Sequence, residues 1–137
     1  MTNETRGKTE RVKCTGSCHC GRVKVSVKTS PDLKATRCNC SICRKSGHLH
    51  LTVAKDDLTV LGGEDHLTEY RFNSEIAQHL FCRHCGVKVF YVPRSHPDSY
   101  SVNVNCLDLD ERFRVEIREF DGQNWEKNVA ELRAWKD

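Results

Sequence analysis

Cys38-Asn39-Cys40-Ser41-Ile42-Cys43 places three thiols within six residues, with Arg44-Lys45 directly behind them. As thiolates they make most of a cage for a soft divalent metal, and zinc best suits sulfur ligands that do no redox chemistry. Zinc takes four ligands, so the trio leaves one position to fill. A side chain from this chain (Cys14, Cys106, His48 or His50) would close the site and make it a scaffold. Water or a substrate there would make it a reaction centre.

Four more cysteines fall into two glycine-ended pairs. Cys82-x-x-Cys85-Gly86 has the spacing of a zinc knuckle, and Cys18-x-Cys20-Gly21 supplies a second half-site. A cage of Cys18, Cys20, Cys82 and Cys85 is expected to hold a structural zinc. It would tie the first strands to a hairpin about sixty residues later. A mixed arrangement, in which the trio shares ligands with Cys18 and Cys20, is the alternative. Cys14 and Cys106 lie in strand-like surroundings and read as buried free thiols.

Charge decides what a three-thiolate zinc can do. Three sulfurs over-neutralise a divalent ion, so it ionises water less readily than one held by three imidazoles. A thiol substrate is the better match, because the metal holds it as a nucleophilic thiolate at neutral pH. The expected reaction is addition to an electrophilic carbonyl carbon, or its reverse. Arg44, Lys45 and Arg94 are the candidate cations for an anionic substrate, and His48 and His50 the candidate proton carriers.

The elements that must position these groups read mainly as strands. Val23, Val25 and Val27 alternate with polar residues, as do Leu49, Leu51 and Val53, then Tyr100, Val102 and Val104, then Phe113, Val115 and Ile117. Leu67 to Phe72 and Ala77 to Phe81 read as a hairpin with Asn73-Ser74 between them, and Pro93 stops the run from Val87 to Val92. Only the end reads as a helix, with Trp125, Val129 and Leu132 at i, i+4 and i+7. A mostly β domain of short antiparallel strands with a short C-terminal helix is expected over residues 11–137. Residues 1–10, polar throughout, are expected to be a flexible tail.

The 137 residues suit one domain, and 37% hydrophobic against 30% charged residues leaves only a modest core. No apolar run approaches the length of a membrane span, and the first residues lack a signal-peptide core, so a cytoplasmic setting is expected, with the nucleus left open. In a reducing compartment nine cysteines are metal ligands rather than a disulfide framework. The net charge of +3 is spread among acidic residues along the chain, which argues against a nucleic-acid partner. An exposed edge strand would be able to support a homodimer.

Gly16-x-Cys18-His19-Cys20-Gly21, Cys38-x-Cys40-Ser41-x-Cys43-Arg44-Lys45, Phe81-Cys82-x-x-Cys85-Gly86 and Cys106-Leu107-Asp108 occur in one order. Over residues 12–110 this pattern resembles the glutathione-dependent formaldehyde-activating enzyme family. Within it, Tyr91-x-Pro93-Arg94-Ser95-x-Pro97 and Phe120-x-Gly122-x-x-Trp125-Glu126-Lys127 are most similar to the branch of centromere protein V. The resemblance implies a β-tent fold with two zinc ions. One is structural, on Cys18, Cys20, Cys82 and Cys85; the other is catalytic, on Cys38, Cys40 and Cys43. It also implies a carbon–sulfur lyase activity that joins glutathione to formaldehyde. The competing implication, from the centromere branch, is a non-enzymatic zinc-stabilised module that acts in chromatin or the cytoskeleton.

Overall fold

The computed structural model describes residues 11–72 and 75–134. The expected tail over residues 1–10 and the Asn73-Ser74 turn lie outside the described residues. Among the described residues ten strands run in chain order: β1 (Val12–Ser17), β2 (Lys24–Thr29), β3 (Asp32–Cys38), β4 (Leu49–Ala54) and β5 (Leu58–Gly62), then β6 (Leu67–Tyr70), β7 (His79–Cys82), β8 (Phe90–Tyr91), β9 (Ser99–Asn103) and β10 (Arg114–Phe120). Helix α1 (Ser41–Ser46) follows β3, and α2 (Trp125–Ala134) closes the described chain. Strand outweighs helix, 45% against 22%, which is the mostly β class expected.

The strands form a three-stranded sheet in the order β1-β2-β5, a five-stranded sheet in the order β10-β3-β4-β9-β8, and the hairpin β6-β7. All pairs are antiparallel except β10, which lies parallel to β3 with Phe120 opposite Cys38. The core lies between the two larger sheets. Val25 and Val27 from β2 share one cluster with Leu33 and Ala35 from β3, Leu51 and Val53 from β4, and Val102 from β9. These are the period-two positions, and full burial of one such side chain contributes about 1.5–3 kcal/mol.

The other face of the five-stranded sheet is not core. Lys34, Thr36 and Cys38 of β3, His50 and Thr52 of β4, Ser101 of β9, Tyr91 of β8 and Arg118 of β10 alternate with the core residues and line a cavity. A strand with one buried apolar face has a second face free for polar side chains, and here that face is the floor of the site.

Two expectations change. The trio does not sit in a plain loop: Cys40 stands at the N-cap of α1 and Cys43 lies within it, with Arg44 N–H donating to Cys40 O at 2.9 Å. Six residues are too few to show a helical period. In β10, an edge strand of its sheet, Val115 and Ile117 are 42% and 41% exposed rather than buried, because the face they stand on is not covered there. Among the described residues no helix is long and apolar enough to cross a membrane.

Candidate metal centres and the cavity beside the cysteine trio

The nine cysteines sort into two groups and two outliers. Cys18, Cys20, Cys82 and Cys85 bring their sulfurs within 4.8 Å of one another, and Cys38, Cys40 and Cys43 do the same. No sulfur is shared, so the mixed arrangement is not the one adopted. Cys14 is in the core on β1, and the Cys106 thiol faces Lys88 O at 3.8 Å.

The four-cysteine group joins two matching loops. Gly21 and Gly86, each just beyond a pair, take φ of +84° and +77°, values a side chain would make costly. Val23 N–H donates to Cys18 Sγ at 3.3 Å and His84 N–H to Cys82 Sγ at 3.4 Å. The Cys20 thiol is pushed down to about 6 by the Arg22 backbone N–H and then by its guanidinium. Cys18–Cys20 and Cys20–Cys82 sulfur distances are 3.6 and 3.7 Å. A tetrahedron with zinc–sulfur bonds of about 2.3 Å has edges of roughly 3.8 Å. The donor set and its spacing therefore fit zinc.

The trio is built differently. Cys40 is the sulfur held most strongly as thiolate: the Cys38 and Cys43 thiols and the Cys43 backbone N–H all favour its charged form. His50 Nε2 lies 3.1 Å from Cys43 Sγ. Burial pushes His50 down to about 3, so it is a neutral imidazole. With Nε2–H donating to sulfur, Nδ1 accepts from Ser101 Oγ at 2.9 Å, and the Tyr91 hydroxyl lies 3.2 Å from the same nitrogen. Ser101 in turn accepts from His48 Nε2 at 3.1 Å. Burial pushes Tyr91 up, so it keeps its proton. Of the four candidates for a fourth ligand, only His50 touches the trio, and it touches one sulfur as a hydrogen-bond partner. Three soft thiolates on one wall suit a zinc ion with an open position.

The trio opens into a cavity of about 410 Å³, and the four-cysteine group does not line it. One wall is a stack of rings: Phe72 on His79 at 5.5 Å and His79 on Tyr91 at 4.8 Å. At another wall, the Arg94 guanidinium lies 3.6 Å from the Trp125 ring and pairs with Glu126. That contact brings together the two segments singled out in the sequence, 91–97 and 120–127. Of the three candidate cations, Arg94 lines the cavity, whereas Arg44 and Lys45 are exposed on α1 and outside its lining.

The chain after β10 locks onto the trio through Asn39. Its N–H donates to Phe120 O, its side-chain amide to Asp121, and its side-chain oxygen accepts from Gln123 N–H at 2.9 Å. This holds Gly122 against the sulfurs, where a Cβ would lie 2.3 Å from Cys38 Sγ and 3.0 Å from Cys40 Cβ. Gly122→Ala is therefore expected to displace Cys38. Zinc analysis should show occupancy lost at the trio alone, and thermal unfolding a loss of about 1–3 kcal/mol from overpacking. Ser101 and His79 are the site residues that motif spacing does not reveal, and Tyr91 and Asn39 lie within quoted motifs without an assigned role.

Residues 13–123 match the profile of a family described as glutathione-dependent formaldehyde-activating enzyme. A Halomonas elongata protein, provisionally named as such an enzyme, is 28% identical over 103 residues. The alignment covers 69% of this chain and 66% of that protein, so the chain spans just under two thirds of this relative's length. A crystal structure of a Rhodobacter sphaeroides protein superposes with a TM-score of 0.63 at 38% identity, covering 76% of this chain and 99% of that one.

Proposed function

Because the chain belongs to the glutathione-dependent formaldehyde-activating enzyme family, we propose that it adds a thiol such as glutathione to a small aldehyde such as formaldehyde, or catalyses the reverse. It would then be a carbon–sulfur lyase with one structural and one catalytic zinc. The observation that carries this reading is the asymmetry of the two cysteine groups. One takes no part in lining the cavity, and the other forms part of its wall. A purely structural pair of ions would have no use for that difference.

The ion held by Cys38, Cys40 and Cys43 would supply a positive centre at which a thiol gives up its proton. The chain's own residues do the rest. His50 donates to Cys43 Sγ and fixes the orientation of that sulfur, while the Ser101 hydroxyl holds the imidazole in the required tautomer. Arg94, pre-oriented on Trp125, exchanges the exposed Glu126 for a substrate carboxylate. As the S–C bond forms, the carbonyl π bond opens and the proton lost by the thiol ends on the former carbonyl oxygen. No oxidant is involved. Tyr91, which lines the cavity and keeps its proton, is a hydroxyl available to that oxygen.

We propose the centromere protein V-like branch for this chain, and the two segments that carry that resemblance, 91–97 and 120–127, both contribute to the cavity lining. That supports a substrate role for them over a docking role. The test is to incubate the zinc-loaded protein with glutathione and a panel of aldehydes and to follow adducts by mass spectrometry against spontaneous addition. Acceleration with at least one aldehyde is expected. Rates equal to the spontaneous ones throughout would reject the enzyme and leave the interaction module.

A further inference from the structure

Lys88 is 7% exposed, in an apolar run between Val87 and Val89. None of the ion pairs among the described residues includes it. Its Nζ lies 3.3 Å from His79 Nδ1 and 4.3 Å from the centroid of the Tyr91 ring. A buried ammonium is expensive unless an anion answers it, and an imidazole lone pair and a ring face are weak answers. His79 adds no charge of its own, since burial and then Lys88 push it down to about 4.

Burial pushes the Lys88 ammonium down, and the sulfurs of Cys43 and Cys40 act the other way and favour its charge. The connection is physical: Tyr91, whose ring the ammonium faces, reaches His50 Nδ1, and His50 Nε2 reaches Cys43 Sγ. Tyr91 and His79 line the cavity, and Lys88 is not among its lining residues. The cation therefore sits behind the wall of the site, where it neither meets substrate nor is much screened by salt.

We propose that Lys88 is the fixed counter-charge of the three-thiolate centre, a positioning residue that sets how tightly the trio holds its ion and then a substrate thiolate. This rests on the preceding reading of the trio as an open zinc site. Three thiolates around a divalent ion leave one negative charge, and a substrate thiolate adds a second. Beside buried groups that excess opposes binding unless a cation is already in place. Lys88 supplies it without occupying a ligand position.

The experiment uses the full chain loaded with zinc, in three forms: the unaltered protein, Lys88→Met, which keeps length and removes charge, and Lys88→Arg, which keeps charge. Zinc content and chelator competition report the two ions separately, and calorimetry reports glutathione affinity. In Lys88→Met, the four-cysteine ion and the unfolding midpoint are expected to hold or improve. Both the trio's zinc and glutathione should bind on the order of tenfold more weakly. Lys88→Arg should recover most of that loss. Unchanged affinities in Lys88→Met would overturn the inference, as would an equal loss in Lys88→Arg, which would signal a role in shape rather than charge. An unaltered protein that takes up only one ion would instead reject the open zinc site itself, and this inference with it.

Discussion

Cys82→Ala is expected to leave the chain without a cooperative unfolding transition, whereas Cys38→Ala should keep one. Cys82 is fully buried at the end of β7, and Cys18 is 2% exposed just beyond β1. Their sulfurs and those of Cys20 and Cys85 bring together loops that lie 62 residues apart in sequence. The strands they anchor have four to six residues each, and 30% of the chain is charged, so the apolar core alone is small. A structural zinc contributes about 10–16 kcal/mol at neutral pH, as much as the whole net stability of an ordinary domain, about 5–15 kcal/mol. Losing it removes most of the reason to fold. Circular dichroism with denaturant titration checks this for each variant, and a chelator added to the unaltered protein should reproduce the Cys82→Ala result. A metal-free chain that still unfolds cooperatively near its original midpoint would show the four-cysteine group to be dispensable for the fold.

How far the sequence alone reaches can be judged from particular residues. The partition of cysteines was legible because ligand spacing is local: CxC and CxxC with a following glycine form half-sites whatever surrounds them. The strands were legible through the valines of β2 and the leucines of β4, whose period of two survives in the structure. Helix α1 was not. It has six residues, no side-chain N-cap hydrogen bond, and its one buried residue is Cys43, so neither periodicity nor capping announces it. The floor of the site was hidden for another reason. His50, Ser101 and Tyr91 come together only through the pairing of β4 with β9 and of β9 with β8, a non-local fact. The available signal was indirect: polar residues at every second position of strands whose other face is core. Lys88 also left a trace, as a lone charge inside the run from Val87 to Val92. Val115 and Ile117 misled because alternation reports which side of a strand is apolar and says nothing of whether another layer covers that side.

Cys40→Ser should reduce thiol–aldehyde addition to the spontaneous rate, a loss of at least about a thousandfold, while the four-cysteine ion stays bound. The substitution is mild for the backbone. Cys40 is the N-cap of α1 with φ −65° and ψ 161°, and serine is among the best residues at that position. Only the sulfur is lost, and a hydroxyl ionises far too weakly to replace a thiolate on a soft ion. The neighbouring Cys38 and Cys43 thiols favour Cys40 as thiolate, the form a metal binds. Zinc per chain is expected to fall by one ion, with the unfolding midpoint nearly unchanged. Cys14→Ser and Cys106→Ser bracket the result, since neither sulfur belongs to either group and both ions should remain. Full turnover in Cys40→Ser with a single ion retained would separate the chemistry from the trio altogether. The cavity would then have to act through His50, Tyr91 and Arg94 alone.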